Sequence, residues 1–186
     1  MALAASAGGL AAVSQILSGL PADFPAPILV VQHLDPNHRS WLAEILTRRT
    51  GLRVLQVRGG EQAVAGTVFL APPGQHLLVA ADGTLSLSDT ARVRFVRPSA
   101  DVLFTSLAEG WDGGAIAVVL TGTGKDGADG VRAIKSRGGT VIVQDEASAE
   151  FFGMPNAAIQ TGTANQILPL EAIAAALMEL TAGGSS

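Results

Sequence analysis

Five short runs rich in Val and Ile recur along this chain: Pro27 to Gln32, Thr67 to Leu70, Ala115 to Leu120, Thr140 to Gln144 and Gln166 to Pro169. Runs that are apolar almost throughout, rather than alternating with polar residues, suit strands covered on both faces of a parallel sheet. Between them, Leu10 to Leu20, Asn37 to Arg49, Ser99 to Trp111, Gly127 to Arg137 and Pro169 to Leu180 carry helix-like spacing. Ser99 is placed to cap its helix, with Asp101 in the first turn. This alternation predicts an α/β fold: a doubly wound, mainly parallel sheet with helices on both faces. Residues 67 to 97 break the rhythm, because Ala71-Pro72-Pro73-Gly74 and Asp82-Gly83 are turn sequences between short strand-like pieces. An inserted antiparallel β meander is expected there.

The 186 residues fit one domain, and their 48% hydrophobic content suffices for a sizeable core. That domain is expected over residues 1 to 180, with 181 to 186, Thr-Ala-Gly-Gly-Ser-Ser, as a frayed tail. Leu3 to Ala5 reads as the end of a buried strand at the very start of the chain, which raises the expectation of a domain cut from, or evolved out of, a longer architecture. A net charge of −4 without a run of Lys or Arg supplies no footprint for nucleic acid or an anionic membrane, so proteins or small molecules are the expected partners. The absence of Cys excludes disulfides, thiolate metal sites and a cysteine nucleophile. No apolar stretch approaches the roughly 18 residues of a membrane span, and Met1 to Ser6 lacks the pattern of a leader. A soluble, cytoplasmic protein without membrane insertion is the expectation.

In doubly wound sheets ligands bind beyond the carboxyl ends of the strands, which directs attention to Ser6, His33 and Asp126. Ser6 precedes Ala7-Gly8-Gly9, small residues at a helix start whose free amides could stabilise an oxyanion. On local evidence alone, a Ser before Gly-Gly is more often a turn or helix-cap residue than a nucleophile. His33 ends Ile28-Leu29-Val30-Val31-Gln32-His33, where an imidazole can exchange a proton near neutral pH or simply hydrogen-bond at a strand end. His76 in the meander and His38 at a helix start read as structural or surface residues. Three histidines without HExxH-type spacing give no metal site. A buried Asp126 could orient His33 and stabilise its imidazolium.

Asp126 lies in the loop Gly122-Thr123-Gly124-Lys125-Asp126-Gly127, which also satisfies G-x-G-x-x-G between a strand and a helix, with Asp145 ending the next strand. On pattern alone this is a dinucleotide-binding fingerprint. Against it, Lys125 and Asp126 occupy positions that usually hold small residues, and Ser6 and His33 are left without a role. The phosphate-loop pattern fails because Asp126 follows Lys125 where Ser or Thr is required, and a calcium loop fails because Arg137 stands where Glu belongs.

Taken together, Ser6-Ala7-Gly8-Gly9, Val30-Val31-Gln32-His33, Phe69-Leu70-Ala71-Pro72-Pro73-Gly74-Gln75-His76-Leu77, Asp101-Val102-Leu103-Phe104, Leu120 to Gly127, Gln144-Asp145-Glu146 and Gly153-Met154-Pro155 resemble the catalytic domain of the chemotaxis-type protein-glutamate methylesterase (CheB) family. The resemblance covers nearly the whole chain in order. It implies hydrolysis of glutamate methyl esters on methyl-accepting chemoreceptors or related methylated sensory proteins, with glutamine deamidation as a related activity and no cofactor or metal. By the same matching, Ser6 is nucleophile, His33 general base and acid, and Asp126 the orienting carboxylate. Ala7, Gly8, Thr123 and Gly124 are the oxyanion candidates, and Met154 and Arg48 join them toward substrate. Arg48 and Arg49 alternatively read as a solvated pair at a helix end. The chain order Ser, His, Asp and the sequence Ala4-Ala5-Ser6-Ala7-Gly8 both differ from the α/β-hydrolase pattern. Ala7 stands where the chemotaxis enzymes usually carry Thr, and Thr123 where they carry Met. Those enzymes typically have a receiver domain ahead of the catalytic one, so a regulatory domain on a longer or separate chain is expected.

Overall fold

The computed structural model describes residues 1–34, 40–111 and 114–183. His38 and the start of the helix expected from Asn37 lie outside them. The elements are β1 (Ala2–Ala5), α1 (Gly9–Ser18), β2 (Ile28–Gln32), α2 (Leu42–Thr47), β3 (Arg53–Gln56), β4 (Thr67–Leu70), β5 (His76–Val79), β6 (Leu85–Ser88), α3 (Ala100–Gly110), β7 (Ile116–Val119), α4 (Ala128–Ser136), β8 (Thr140–Gln144), α5 (Gly153–Ile159), β9 (Gln166–Leu168) and α6 (Leu170–Ala182). Helix α6 thus extends two residues into the stretch expected to fray. None of these helices is long and apolar enough to cross a membrane.

Seven strands form one sheet in the order β3-β4-β2-β1-β7-β8-β9, and every pairing in it is parallel. The expected α/β architecture is therefore present. Its antiparallel insertion consists of a two-stranded hairpin, β5 with β6, while Thr67–Leu70 joins the parallel sheet as β4. The Val- and Ile-rich runs are buried on both sides because alternate residues enter two separate cores. Ala2, Leu29, Ala117 and Val141 face one layer, packed by Leu103, Phe104 and Leu107 of α3, Val131 and Ile134 of α4, and Leu77 and Leu85 of the hairpin. Leu3, Val30, Val118 and Ile142 face the other, packed by Val13, Ile16 and Leu17 of α1, Leu42 and Leu46 of α2, and Ile173 and Leu177 of α6.

Strand β1 is central, pairing with β2 on one side and β7 on the other. The chain winds outward from it to β2 and later returns to its opposite flank as β7, so the order reverses at β1 and opens a crevice above its carboxyl end. Beyond the hairpin, Val93 and Val96 exchange backbone hydrogen bonds of 3.1 and 3.0 Å around Arg94 and Phe95, whose φ angles are 49° and 69°. Left-handed backbone costs a side-chain-bearing residue roughly 1–2 kcal/mol, so neighbouring contacts must hold this turn.

Helices α3 and α4 approach most closely at Gly130. A Cβ there would lie 2.6 Å from the Phe104 Cβ and 3.1 Å from the Asp101 Cα. Alanine's higher helix propensity offers about 1 kcal/mol in return, less than the roughly 1–3 kcal/mol of overpacking against a backbone atom. Gly130→Ala is therefore expected to lower unfolding free energy by up to about 2 kcal/mol in urea titration.

Candidate active site

Ser6 and His33 each follow the last residue of a strand, β1 and β2, whose registers pair Ala5 with Gln32. The His33 amide donates to the Ala5 carbonyl at 3.0 Å, and the Ser6 amide donates to the Thr121 carbonyl at 3.0 Å, just beyond β7. Ser6 and His33 thus leave adjacent strands at the same level, half-buried. Buried Gln32 ties them together: its Nε2 donates to the Ser6 carbonyl at 2.7 Å and to the His33 carbonyl at 3.2 Å.

Asp126 meets the histidine from the β7–α4 loop. Its Oδ2 lies 2.7 Å from the His33 Nε2 and accepts the Ala100 amide at 2.6 Å. Its Oδ1 accepts the Ser99 hydroxyl at 2.6 Å and the Asp101 amide at 3.1 Å. This carboxylate, only 3% exposed, therefore caps α3 from outside the helix. Burial pushes the Asp126 carboxyl up, but hydrogen bonds from His33, Ser99 and Ala100 prevail and hold it below the ordinary carboxylate range.

The capping is reciprocal. Asp101, in the first turn of α3, accepts the Asp129 and Gly130 amides of α4 at 2.9 and 2.8 Å and the Arg94 Nε at 3.0 Å. Burial pushes the Asp101 carboxyl up, with the nearby negative charge of Asp126 acting in the same direction. The expected role of Ser99 as a side-chain cap of its own helix is taken over by Asp126, and the Ser99 hydroxyl serves that carboxylate instead. Fully buried His76 accepts the Ser99 amide on Nδ1 at 3.2 Å and donates from Nε2 to the Ala91 carbonyl at 3.1 Å, which fixes its neutral tautomer. It is structural, as its place in the hairpin suggested, and it buttresses Ser99.

The same contacts bear on the dinucleotide alternative. A pyrophosphate would need the first amides of α4, yet those of Asp129 and Gly130 already donate to Asp101, and the Ala128 amide to the Lys125 carbonyl. A buried carboxylate over a helix start repels phosphate, so this loop is built for Asp126 rather than for a nucleotide.

Of the other candidates, Gly122 holds Met154 and Ser6 on either side. A Cβ at Gly122 would collide with the Met154 sulfur and lie 2.8 Å from the Ser6 Cβ. The Met154 amide donates to the Gly122 carbonyl at 2.8 Å, tying α5 to the loop. Ala7 and Gly8 precede α1, while Thr123 and Gly124 are exposed; none of these four amides donates to a protein acceptor among the described residues. Arg48, exposed at the C-terminus of α2, does not line the cavity beside Ser6; Arg49 does, with its Nη1 3.4 Å from the Ser14 hydroxyl. Among the described residues no group of acidic side chains and histidines could hold a metal ion.

Comparison with known proteins places the chain in a family. The family described as CheB methylesterase matches residues 1–177. The protein-glutamate methylesterase FrzG of Myxococcus xanthus is 46% identical over 179 residues, covering 96% of this chain and 54% of that protein. A protein-glutamate methylesterase/protein-glutamine glutaminase of Anaeromyxobacter dehalogenans (strain 2CP-C) is 44% identical over 179 residues, 96% of this chain and 52% of that protein. The crystal structure of the Thermotoga maritima CheB methylesterase catalytic domain superposes with a TM-score of 0.92 at 38% identity, covering 96% of both chains. The chain belongs to the CheB methylesterase family. It spans about half the length of the curated relatives it matches.

Removal of the Ser99 hydroxyl isolates one donor to Asp126. A hydrogen bond to a charged group contributes about 1.5–3 kcal/mol, the loss expected for Ser99→Ala at pH 7. Because the folded pKa of Asp126 is depressed, its contribution is present above the unfolded value near 3.8 and is lost as pH falls through the folded value. Urea titrations across pH should therefore show the gap between wild type and Ser99→Ala narrowing below about pH 4.

Proposed function

We propose that this domain hydrolyses carboxylic esters, removing methyl groups from glutamate methyl esters of methyl-accepting chemoreceptors and deamidating certain glutamines at the same site. The observation that carries the reading is the 2.7 Å contact between His33 and the buried Asp126, made beside Ser6 at the carboxyl ends of β1, β2 and β7. The membership of the chain in the CheB methylesterase family supports it.

Ser6 is the nucleophile. Asp126 engages the Nε2 of His33, so Nδ1 is the nitrogen left to accept the Ser6 proton as Oγ attacks the ester carbon. The ion pair stabilises the imidazolium formed in that step, and Asp126 itself stays ionised because its other three donors favour the charged form. Amides at Ala7, Gly8, Thr123 and Gly124 are the donors for the tetrahedral oxyanion, and each one used contributes roughly 2.7–4 kcal/mol to transition-state binding. Backbone donation tolerates Ala7 and Thr123 in place of the more usual Thr and Met. His33 then protonates departing methanol, water attacks the acyl-enzyme with His33 as base, and glutamate is released. With glutamine as substrate, ammonia leaves in place of methanol. Met154 and Ser6 both close on Gly122, and Arg49, rather than Arg48, supplies positive charge beside the nucleophile.

Methanol release from a methylated chemoreceptor tests this directly. Ser6→Ala is expected to reduce release to background, and Asp126→Asn to lower turnover on the order of 10⁴-fold. Equal rates for wild type and Ser6→Ala would overturn the assignment.

A further inference from the structure

The segment Arg92-Val93-Arg94-Phe95-Val96-Arg97 borders the cavity that opens beside His33, with Arg92, Phe95 and Arg97 in its wall. Phe95 is 92% exposed, at the tip of the left-handed turn. Such exposure of a large aromatic is unfavourable in water, and the backbone that imposes it is itself strained. The turn is braced from below: Arg94 pairs with Asp101 and Asp129 at the junction of α3 and α4, and the Arg97 Nη1 donates to the carbonyls of Asp89 and Thr90 at 2.7 and 2.8 Å. Asp101, whose amide donates to Asp126, thus also anchors the turn through its carboxylate on Arg94.

Asp101 and Asp129 neutralise Arg94, but the other two arginines of this turn have no carboxylate partner among the described residues. Arg92 is exposed and has no ion-pair partner among the described residues, and Arg97 binds only neutral carbonyls. The neighbouring cavity at the α4 and α5 starts is bordered by exposed Lys125 and by Arg94 and Arg132, both of which pair with Asp129. A chain of net charge −4 thus presents cations on the rim of its crevice.

We propose that the Arg92–Arg97 turn is a docking surface for an acidic protein segment, with Phe95 as its apolar anchor and Arg92 as partner to the segment's carboxylates. A rigid, pre-ordered aromatic beside unpaired arginine is the composition of an interface hot spot, and anchoring there lays the segment across His33. The inference rests on the esterase reading for the identity of that segment: the substrate stretch that carries the ester. The cavity beside Ser6 has no residue of the turn in its wall, so hydrolysis of a small ester there is expected not to depend on Phe95.

The test uses a fluorescently labelled glutamate-rich peptide containing one γ-methyl glutamate. Binding is followed by anisotropy, with methanol release and hydrolysis of p-nitrophenyl acetate measured in parallel. Phe95→Ala is expected to weaken peptide binding by about 30-fold or more, the threshold of a hot-spot residue, and to leave p-nitrophenyl acetate hydrolysis unchanged. Arg92→Glu, an independent variant, should weaken binding by about tenfold and flatten its salt dependence. Unchanged affinity in both variants, or no measurable binding to the wild type, would overturn the docking surface. A wild type that binds the peptide in a Phe95-dependent way without releasing methanol would instead leave the surface standing and overturn the esterase reading.

Discussion

A carboxylate buried as deeply as Asp126 must be matched by donors, and the donors it has found determine where two helices begin. Two are amides that α3 could not satisfy within itself, one is the Ser99 hydroxyl and one is the His33 ring. Each favours the ionised form, and together they outweigh the desolvation that would otherwise neutralise the group. Asp101 does the same for α4, so the loop that carries Asp126 is held from both ends. The inserted hairpin enters the same network through His76, which supports Ser99 from behind. An element that looks peripheral to the sheet thereby sets the position of a residue at its centre.

Sheet geometry supplies the remainder. Parallel neighbours in register release their chains at one level, and β1 and β2 release Ser6 and His33 there, with Thr121 arriving from β7. Small residues then let the groups converge. Ala4 and Ala5 keep β1 slim between its neighbours, and Gly122 leaves room for the Ser6 Cβ and the Met154 sulfur. Gln32 links the two backbones through a single side-chain amide.

Those features differed in how openly the sequence displayed them. Strands buried on both faces announce themselves as Val- and Ile-rich runs, so the parallel sheet, the positions of Ser6 and His33 at strand ends and that of Asp126 in the loop after β7 were legible. Strand β3 was not, because it lies at the sheet edge, is only partly buried and carries polar residues at both ends. Helix α5 was hidden by its shortness and by Pro155 in its third position, a residue tolerated near a helix start but easily read as a break. The contacts of Ser99 with Asp126 and with His76 span 27 and 23 residues and have no local periodicity to reveal them. The distinction between Arg48 and Arg49 turns on the residues just past the end of α2, where the chain leaves the helix and helical spacing no longer says which way a side chain faces. Phe95 gave no signal because a Val-Arg-Phe-Val stretch reads as strand, whereas its two central residues form the turn.

Reciprocal capping also couples the motions of the two helices. Normally each helix end frays on its own, because losing its first turn exposes only its own amides. Here the first turn of α3 holds the carboxylate that satisfies α4, and the loop ahead of α4 holds the one that satisfies α3. Unwinding either end strips the other of its acceptor. Hydrogen exchange at Ala100, Asp101, Asp129 and Gly130 would then proceed as one opening event, and the hydrogen bond between His33 and Asp126 would break and re-form in the same step.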